Sequence, residues 1–332
     1  MQILILGGTI FVGRALVQAA LQQGHQVTLF NRGKSAPDLF PQVESLRGDR
    51  DGGLDALKGR RWDAVIDTSG YVPRVVRQSA DLLKDQVGHY TFISTVSVYQ
   101  EPLAAGSDEG APLSTLPDET IEDPRGEYYG PLKVRCEQVV QEIYPQTHFI
   151  PRPCIIVGPQ DRWDRFAYWL NRIDRGGEVL APGKPERGIQ FIDARDLADW
   201  VIRMVERSAA GIYNAVGPRE PLPMGDFLSV CRRVSGSDAR LTWVDDSFLT
   251  ANQVSPMWEM PFWMPESDPS AAGMFSFDNT KAVRAGLTFR PVEQLVTETL
   301  AWDRERPPHK WRAGLSPERE RELLEKWSSV QG

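Results

Sequence analysis

The sequence predicts an α/β protein, a doubly wound parallel sheet followed by a smaller C-terminal domain of mixed α/β structure. Two observations predict it. The first half of the 332-residue chain alternates short apolar, β-branched runs with amphipathic stretches, the rhythm of a sheet covered by helices on both faces. The first run, Ile3 to Leu6, leads directly into glycines and then into a helical pattern.

Strands are expected near 2–6, 26–30, 43–46, 63–67, 89–94 and 148–157, with helices at about 11–23, 73–87 and 129–143. Gly24 stands where a left-handed helix cap favours glycine. Residues 100–127 break the rhythm: they are rich in acids, Pro, Gly and Ser, and form a long loop, either a solvated connection or a lid. Beyond Gly158 the elements mix, with helices near 163–175, 194–207, 223–235 and 291–305 and strands near 188–192, 211–216 and 240–244. The expected division is therefore 1–157 for the sheet domain and 158–332 for the second, interleaved with the sheet edge near 188–216. In the charged tail, Ser316 and Pro317 hold the N-cap and first-turn positions of a helix reaching about Trp327.

Composition excludes several classes. With 41% apolar and 25% charged residues the chain is too apolar for a disordered one. A formal net charge of -7 provides no broad basic field for nucleic acid or an anionic membrane. Cys136, Cys154 and Cys231 are scattered, without metal-ligand spacing or a disulfide framework, so no metal is expected and a reducing, cytoplasmic location fits. The first strand begins too close to Met1 to leave room for a signal peptide, and no apolar stretch approaches membrane-spanning length.

The segment GGTIFVG, residues 7–13, falls between a strand and a helix, the context that makes a glycine cluster a dinucleotide-binding loop of Rossmann type. Gly7 allows the tight turn, Gly8 and Thr9 keep the backbone close to a diphosphate, and Gly13 lets the helix approach the sheet. With Phe11 and Val12 they form the helix N-terminus, where unpaired N–H groups and the positive dipole end favour an anion. At the end of the second strand an acid would accept hydrogen bonds from both ribose hydroxyls of NAD. Asn31 stands there instead, followed by Arg32 and Lys34, which suit a 2′-phosphate. NADP(H) is thus the favoured cofactor, with NAD(H) as the alternative.

Tyr129 and Lys133 make a Tyr-x-x-x-Lys pair, placed by Gly130 and Pro131 on one face of a helix's first turns. The helix dipole and the Lys133 ammonium are expected to lower the phenol pKa from about 10 toward neutrality, making Tyr129 a general acid/base. Upstream, a strand ends in Ser94 and Thr95, where open sheets of this type bind ligands and where a hydroxyl can orient a substrate oxygen.

In this order, the glycine loop, the Ser-Thr strand end and the Tyr-Lys pair make the chain resemble an extended short-chain dehydrogenase/reductase of the NAD-dependent epimerase/dehydratase group. The likeness continues through Arg152-Pro153, Val157-Gly158-Pro159, FIDARDLA at 191–198 and Tyr213-Asn214. It implies that Thr95 orients the substrate, Tyr129 moves the proton, Lys133 tunes it and holds the nicotinamide ribose, Ser94 lies in the cofactor site, Asp49 lies near adenine, and the helices at 73–87 and 129–143 form a homodimer interface. The activity implied is hydride transfer to or from a carbonyl or secondary alcohol of a small-molecule substrate.

Four departures narrow this. Ile10 replaces the usual middle glycine, which resembles an atypical branch that includes chloroplast RNA-associated proteins; many atypical members lack the tyrosine, and its presence favours an enzyme over a non-catalytic cofactor-sensing or RNA-associated protein. Val96 and Ser97 replace the Asp-Glu of 4,6-dehydratases, and Ser97 also replaces the Cys of GDP-fucose-type reductase-epimerases. Ile189 replaces a diphosphate-binding Arg, with Arg187 nearby. Finally, the segment PMWEMPFWMP at 256–265 either lines a substrate pocket or packs on the second domain's core.

Overall fold

The computed structural model describes residues 1–331. In chain order the strands are β1 Gln2–Leu6, β2 Gln26–Asn31, β3 Glu44–Arg47, β4 Trp62–Asp67, β5 Val87–Phe92, β6 His148–Pro153, β7 Ile156–Val157, β8 Glu178–Pro182, β9 Gly188–Ile189, β10 Ile192–Asp193, β11 Gly211–Ala215, β12 Leu222–Pro223 and β13 Arg240–Val244. The helices are α1 Phe11–Gln22, α2 Pro73–Leu83, α3 Tyr129–Ile143, α4 Arg165–Asp174, α5 Ala194–Glu206, α6 Met224–Ser235, α7 Asp246–Ala251, α8 Ala271–Met274, α9 Thr280–Arg284, α10 Val292–Glu305 and α11 Pro317–Gln331.

Seven strands form one parallel sheet in the order β11-β6-β5-β4-β1-β2-β3. The order reverses between β1 and β4, so the crevice at their carboxyl ends is the place where such sheets bind ligands. Alternation in β1 shows how the sheet is covered. Ile3 and Ile5 pack with Leu16, Val17, Leu197 and Trp200 of α1 and α5, while Leu4 and Leu6 pack with Val76, Cys136 and Val140 of α2 and α3. Each such fully buried side chain contributes about 1.5–3 kcal/mol.

A second core is built where α4, α6 and α10 meet β8 and β13, around Phe166, Trp169, Phe227, Phe262, Trp263 and Leu300. The chain interleaves, because α5 and β11 return to the first sheet after the excursion through α4 and β8. Ser316 caps α11 as expected, its hydroxyl accepting from Arg319 N at 3.2 Å.

Four elements differ from expectation. The strand expected near 188–192 is two short ones, because β9 pairs with β12 while β10 pairs with β7. The strand near 148–157 divides at Cys154-Ile155, because β7 leaves the sheet to pair with β10. Helix α2 stops at Leu83, since Val87 already pairs with Trp62 of β4. Strand β8, between Gly176-Gly177 and Gly183, had no local signal; it forms because β13, sixty residues downstream, pairs with it in parallel.

Among the described residues no helix is long and apolar enough to cross a membrane, and no group of His, Cys, Asp and Glu could hold a metal ion.

Candidate active site

The glycine loop sits at the switch point. Gly7 and Gly8 have φ of 111° and 94°, left-handed values that side chains rarely adopt. A Cβ on Gly13 would stand 2.8 Å from Gly8 N and 2.9 Å from Gly8 Cα, so its missing side chain lets α1 rest on the loop backbone. No side chain caps α1, whose N-cap is Ile10, and its first turn carries no acid. The helix therefore offers backbone donors and a positive dipole end to an anion, and Gly7, Gly8, Thr9, Phe11, Val12 and Gly13 fit a dinucleotide diphosphate.

At the end of β2, Asn31 acts on the loop itself. Its Nδ2 donates to Gly7 O at 3.2 Å, and its Oδ1 accepts from Gly33 N at 2.9 Å and Arg47 Nη1 at 2.5 Å. Arg47 is the register partner of Asn31 across β2 and β3. With exposed Arg32 and Lys34, it places three cations at these strand ends. Asp49 is exposed, its carboxylate accepting from Asp51 N at 3.0 Å. Under the loop, the fully buried Asp67 at the end of β4 pairs with Arg50 and accepts from Tyr90 Oη at 3.0 Å.

The catalytic candidates converge from two elements. Thr95 follows β5 and caps a short turn, its Oγ1 accepting from Ser97 N at 3.1 Å and donating to Ser97 Oγ at 3.1 Å. Helix α3 begins at Tyr129 and lies against that turn: a Cβ on Gly130 would fall 2.0 Å from Ser97 O. Glycine is thus required for the approach that brings the Tyr129 phenol to Thr95. The electrostatics differ from expectation. Burial pushes the Tyr129 phenol up to about 12, opposed by hydrogen bonding from Thr95 and by the Arg165 charge. The Lys133 ammonium is instead bound to Gly70 O at 2.9 Å and Ile93 O at 2.7 Å, over the Phe92 ring, and burial pushes it down to about 8. Desolvation of the phenolate outweighs the helix end and a lysine held by carbonyls.

Ser94 is buried against a carboxylate. Its hydroxyl donates to Glu137 Oε1 at 2.5 Å, inside a network in which Glu137 pairs with Arg152 at 2.6 Å, Arg152 donates to Tyr99 Oη at 3.1 Å, and Tyr99 donates to Asn214 Oδ1 at 2.5 Å. The expected cofactor contact of the Ser94 hydroxyl is therefore corrected: a buried carboxylate next to it is the stronger acceptor. Glu109 of the long acidic loop joins this network, its carboxylate accepting from Asn214 N at 2.7 Å. The first half of that loop is thereby pinned, with Gly106 N donating to Ser276 O at 2.7 Å.

Facing Tyr129 from the second core is the start of α4. Asp161 is 2% exposed, and its Oδ2 has no hydrogen-bond partner among the described residues. Burial pushes this carboxyl up to about 6. Because the folded-state value is raised, the cost is full above pH ~6 and disappears as pH falls through the unfolded value of about 3.9. Asp161→Asn is therefore expected to gain about 2–3 kcal/mol of stability near pH ~7.5 and little near pH ~4, by denaturant titration; an equal gain at both pH values would exclude this cause.

The 256–265 segment packs on the second core, one of the two outcomes expected of it, and leaves Trp258 exposed. Met260, Phe262 and Trp263 are buried in the second core, while Trp258 is 46% exposed and meets the 40% exposed Trp163 edge to face at 5.8 Å. Tyr71, also exposed, lies 6.5 Å from Tyr129 between ring centroids. Ile189 is fully buried in β9, and Arg187 is bound to Asp246 at 2.7 Å, so neither faces a phosphate.

A family model described as the NAD dependent epimerase/dehydratase family matches residues 3–216. The chain belongs to this family. Among curated proteins, this epimerase/dehydratase family member is 27% identical over 238 residues to the chloroplast stem-loop binding protein of 41 kDa b from Arabidopsis thaliana, covering 66% of this chain and 59% of that protein's length. It is 24% identical to epimerase family protein SDR39U1 of Bos taurus over 251 residues, 68% of this chain and 78% of that one. Among solved structures it resembles the UDP-glucuronic acid 4-epimerase of Bacillus cereus in complex with NAD, with a TM-score of 0.65 and 18% identity over 92% of this chain and 99% of that one. That likeness bears on the fold.

Within this family member, the glycine loop follows β1 and Thr95 follows β5 at the carboxyl ends of the sheet, with Tyr129 close to Thr95, while Ser94 and Asn31 are occupied by protein partners. Arg47, Ser97, Asp161 and Arg165 were not legible as site residues. Asp161 and Arg165 follow the Val157-Gly158-Pro159 motif closely, but nothing local marks Arg165 as facing Tyr129 or Asp161 as lying near Arg165.

Proposed function

We propose that the protein is an NAD(P)-dependent oxidoreductase or epimerase of the cytoplasm, transferring hydride to or from a carbonyl or secondary alcohol carbon, with NADP(H) favoured over NAD(H). The observation that carries it is the seating of α3 on the turn after Thr95 through Gly130, which brings the Tyr129 phenol near the Thr95 hydroxyl at the carboxyl end of the sheet. When bound, the nicotinamide supplies the hydride acceptor or donor.

The chain's own residues do the rest. Tyr129 gives the proton to, or takes it from, the substrate oxygen, and Thr95 orients that oxygen. With the phenol at about 12, Tyr129 is protonated at neutral pH, ready to donate during carbonyl reduction; the reverse direction gains as pH rises. Lys133 fixes the ends of β4 and β5 through its two carbonyl partners and is the residue to hold the nicotinamide ribose. Elimination is disfavoured, because Val96 and Ser97 carry no acid beside Thr95. The test is incubation with oxidised or reduced cofactor and a panel of nucleotide sugars, sugar alcohols and simple ketones. With at least one of them, either a net change in reduced nicotinamide or, for an epimerase, inversion of a sugar carbon seen by NMR without net change is expected; cofactor binding with neither outcome for any would reject the reading.

The NADP(H) preference rests on Arg32, Lys34 and Arg47 around a neutral Asn31. Arg32→Asp is expected to weaken NADPH binding by about 10- to 100-fold, the loss of charge-assisted hydrogen bonds, while NADH binding changes far less. Equal losses, read by nicotinamide fluorescence, would sink the assignment.

The name of the Arabidopsis relative raises an RNA-binding alternative. The net charge of -7 and the Tyr129-Thr95 arrangement count against it; steep salt dependence of RNA binding would support it. A homodimer through α2 and α3, where Arg77 of α2 bonds Glu142 of α3, is proposed from the family resemblance and is tested by light scattering.

A further inference from the structure

Among the described residues, Arg165 has no carboxylate in hydrogen-bond or ion-pair contact. It opens α4 directly after Asp164, which holds a left-handed φ of 63°. Its Nε is buried and has no hydrogen-bond partner among the described residues. Other arginines withdrawn from solvent are each given a carboxylate: Arg50 has Asp67, Arg152 has Glu137, Arg172 has Glu320, Arg187 has Asp246 and Arg306 has Asp164. Leaving a buried guanidinium N–H without an acceptor is costly, and an acceptor that arrives from outside would remove that cost. Asp161 is close enough to attract Arg165, yet its own Oδ2 also lacks a partner.

Two exposed aromatic rings lie next to Arg165. The guanidinium carbon of Arg165 lies 5.9 Å from the exposed Trp258 ring, and Trp163 completes an aromatic wall. Arg162 and Arg312 lie over Trp163 at 5.7 and 5.6 Å. The alternative cation, Arg187, is held by Asp246.

We propose that Arg165 is the anion-binding residue of the substrate pocket, so that the substrate carries a carboxylate or phosphate within reach of this guanidinium while its ring lies against Trp258 and Trp163. This rests on the reading of Tyr129 and Thr95 as the reacting pair. Oxygen recognition by Tyr129 and anion recognition by Arg165 together orient the reacting carbon.

Three sugars sharing one ring separate the contributions: D-glucose, D-glucuronate and D-glucose 6-phosphate, titrated against the full chain by ligand-observed NMR. The wild type is expected to bind at least one anionic sugar about tenfold or more tightly than glucose, the size of a charge-assisted contact. Preference for glucuronate alone identifies a carboxylate, and for the 6-phosphate alone a phosphate. Arg165→Gln should abolish the preference, Arg165→Lys should restore part of it, and Arg162→Gln should retain it. No anion preference in the wild type, an unchanged preference in Arg165→Gln, or an equal loss in Arg162→Gln would each overturn the proposal. NADPH titration of the same samples, read by nicotinamide fluorescence, reports separately on the dinucleotide site. Failure there, repeated with NADH, rejects the oxidoreductase reading, while the sugar titration still decides the role of Arg165.

Discussion

Replacement of Tyr129 by Phe is expected to lower turnover by about 10²- to 10⁴-fold, the usual contribution of a positioned acid or base, while dinucleotide affinity stays near that of the wild type. The separation follows from the geometry. Phe keeps the ring that fills the space beside Tyr71, and Gly130 still seats α3 on the Ser97 carbonyl. Lys133 is held by Gly70 and Ile93 independently of the phenol. Only the hydroxyl that meets Thr95 is lost. Cofactor titration beside steady-state kinetics checks both halves: retained turnover rejects Tyr129 as the proton donor, and lost affinity with retained turnover would assign the residue to binding.

Arg152→Met carries the largest expected cost in stability, about 3–5 kcal/mol, because it leaves the Glu137 carboxylate buried without its cation. Both side chains are 1% exposed, and they share a bidentate contact at 3.0 and 2.6 Å. Methionine preserves much of the volume, so the loss reports on charge and hydrogen bonding rather than a cavity. The same substitution removes donors to Tyr99 Oη and Glu109 O, weakening the attachment of the acidic loop. Denaturant titration should show the loss, and limited proteolysis within 100–127 should accelerate. Combining Arg152→Met with Glu137→Leu is expected to recover much of the stability, since the stranded charge is then gone as well. A single-variant cost below about 1 kcal/mol, or no recovery in the double variant, would show that the pair is not coupled in this way.

The acidic loop illustrates how far local pattern carries. Its Pro, Gly and Ser content marks an irregular connection between β5 and α3, as found. Its tethering depends on Glu109 reaching Asn214 N, a partner more than a hundred residues away, and no composition argument supplies that contact. The same contrast separates Tyr129 from Arg165. Tyr129 stands four residues before Lys133 at a helix start and is legible by spacing. Arg165 comes to face it only because α4 of the second core folds back toward the sheet domain.

By itself the sequence determined the elements whose signals are local: the strand and helix periodicity of the sheet, the glycine loop between β1 and α1, and a Tyr-Lys pair on the first turns of α3. Those rest on backbone conformation and on alternation of apolar residues, which neighbouring residues specify. Tertiary structure alone decided the ionisation and the partners. Lys133 went to two backbone carbonyls rather than to the phenol, Ser94 to Glu137, Asn31 to the glycine loop and Arg47, and β8 to a strand sixty residues away. The physical reason is that desolvation and hydrogen-bond competition depend on every group packed around a side chain. In this fold, most of those groups come from distant parts of the chain.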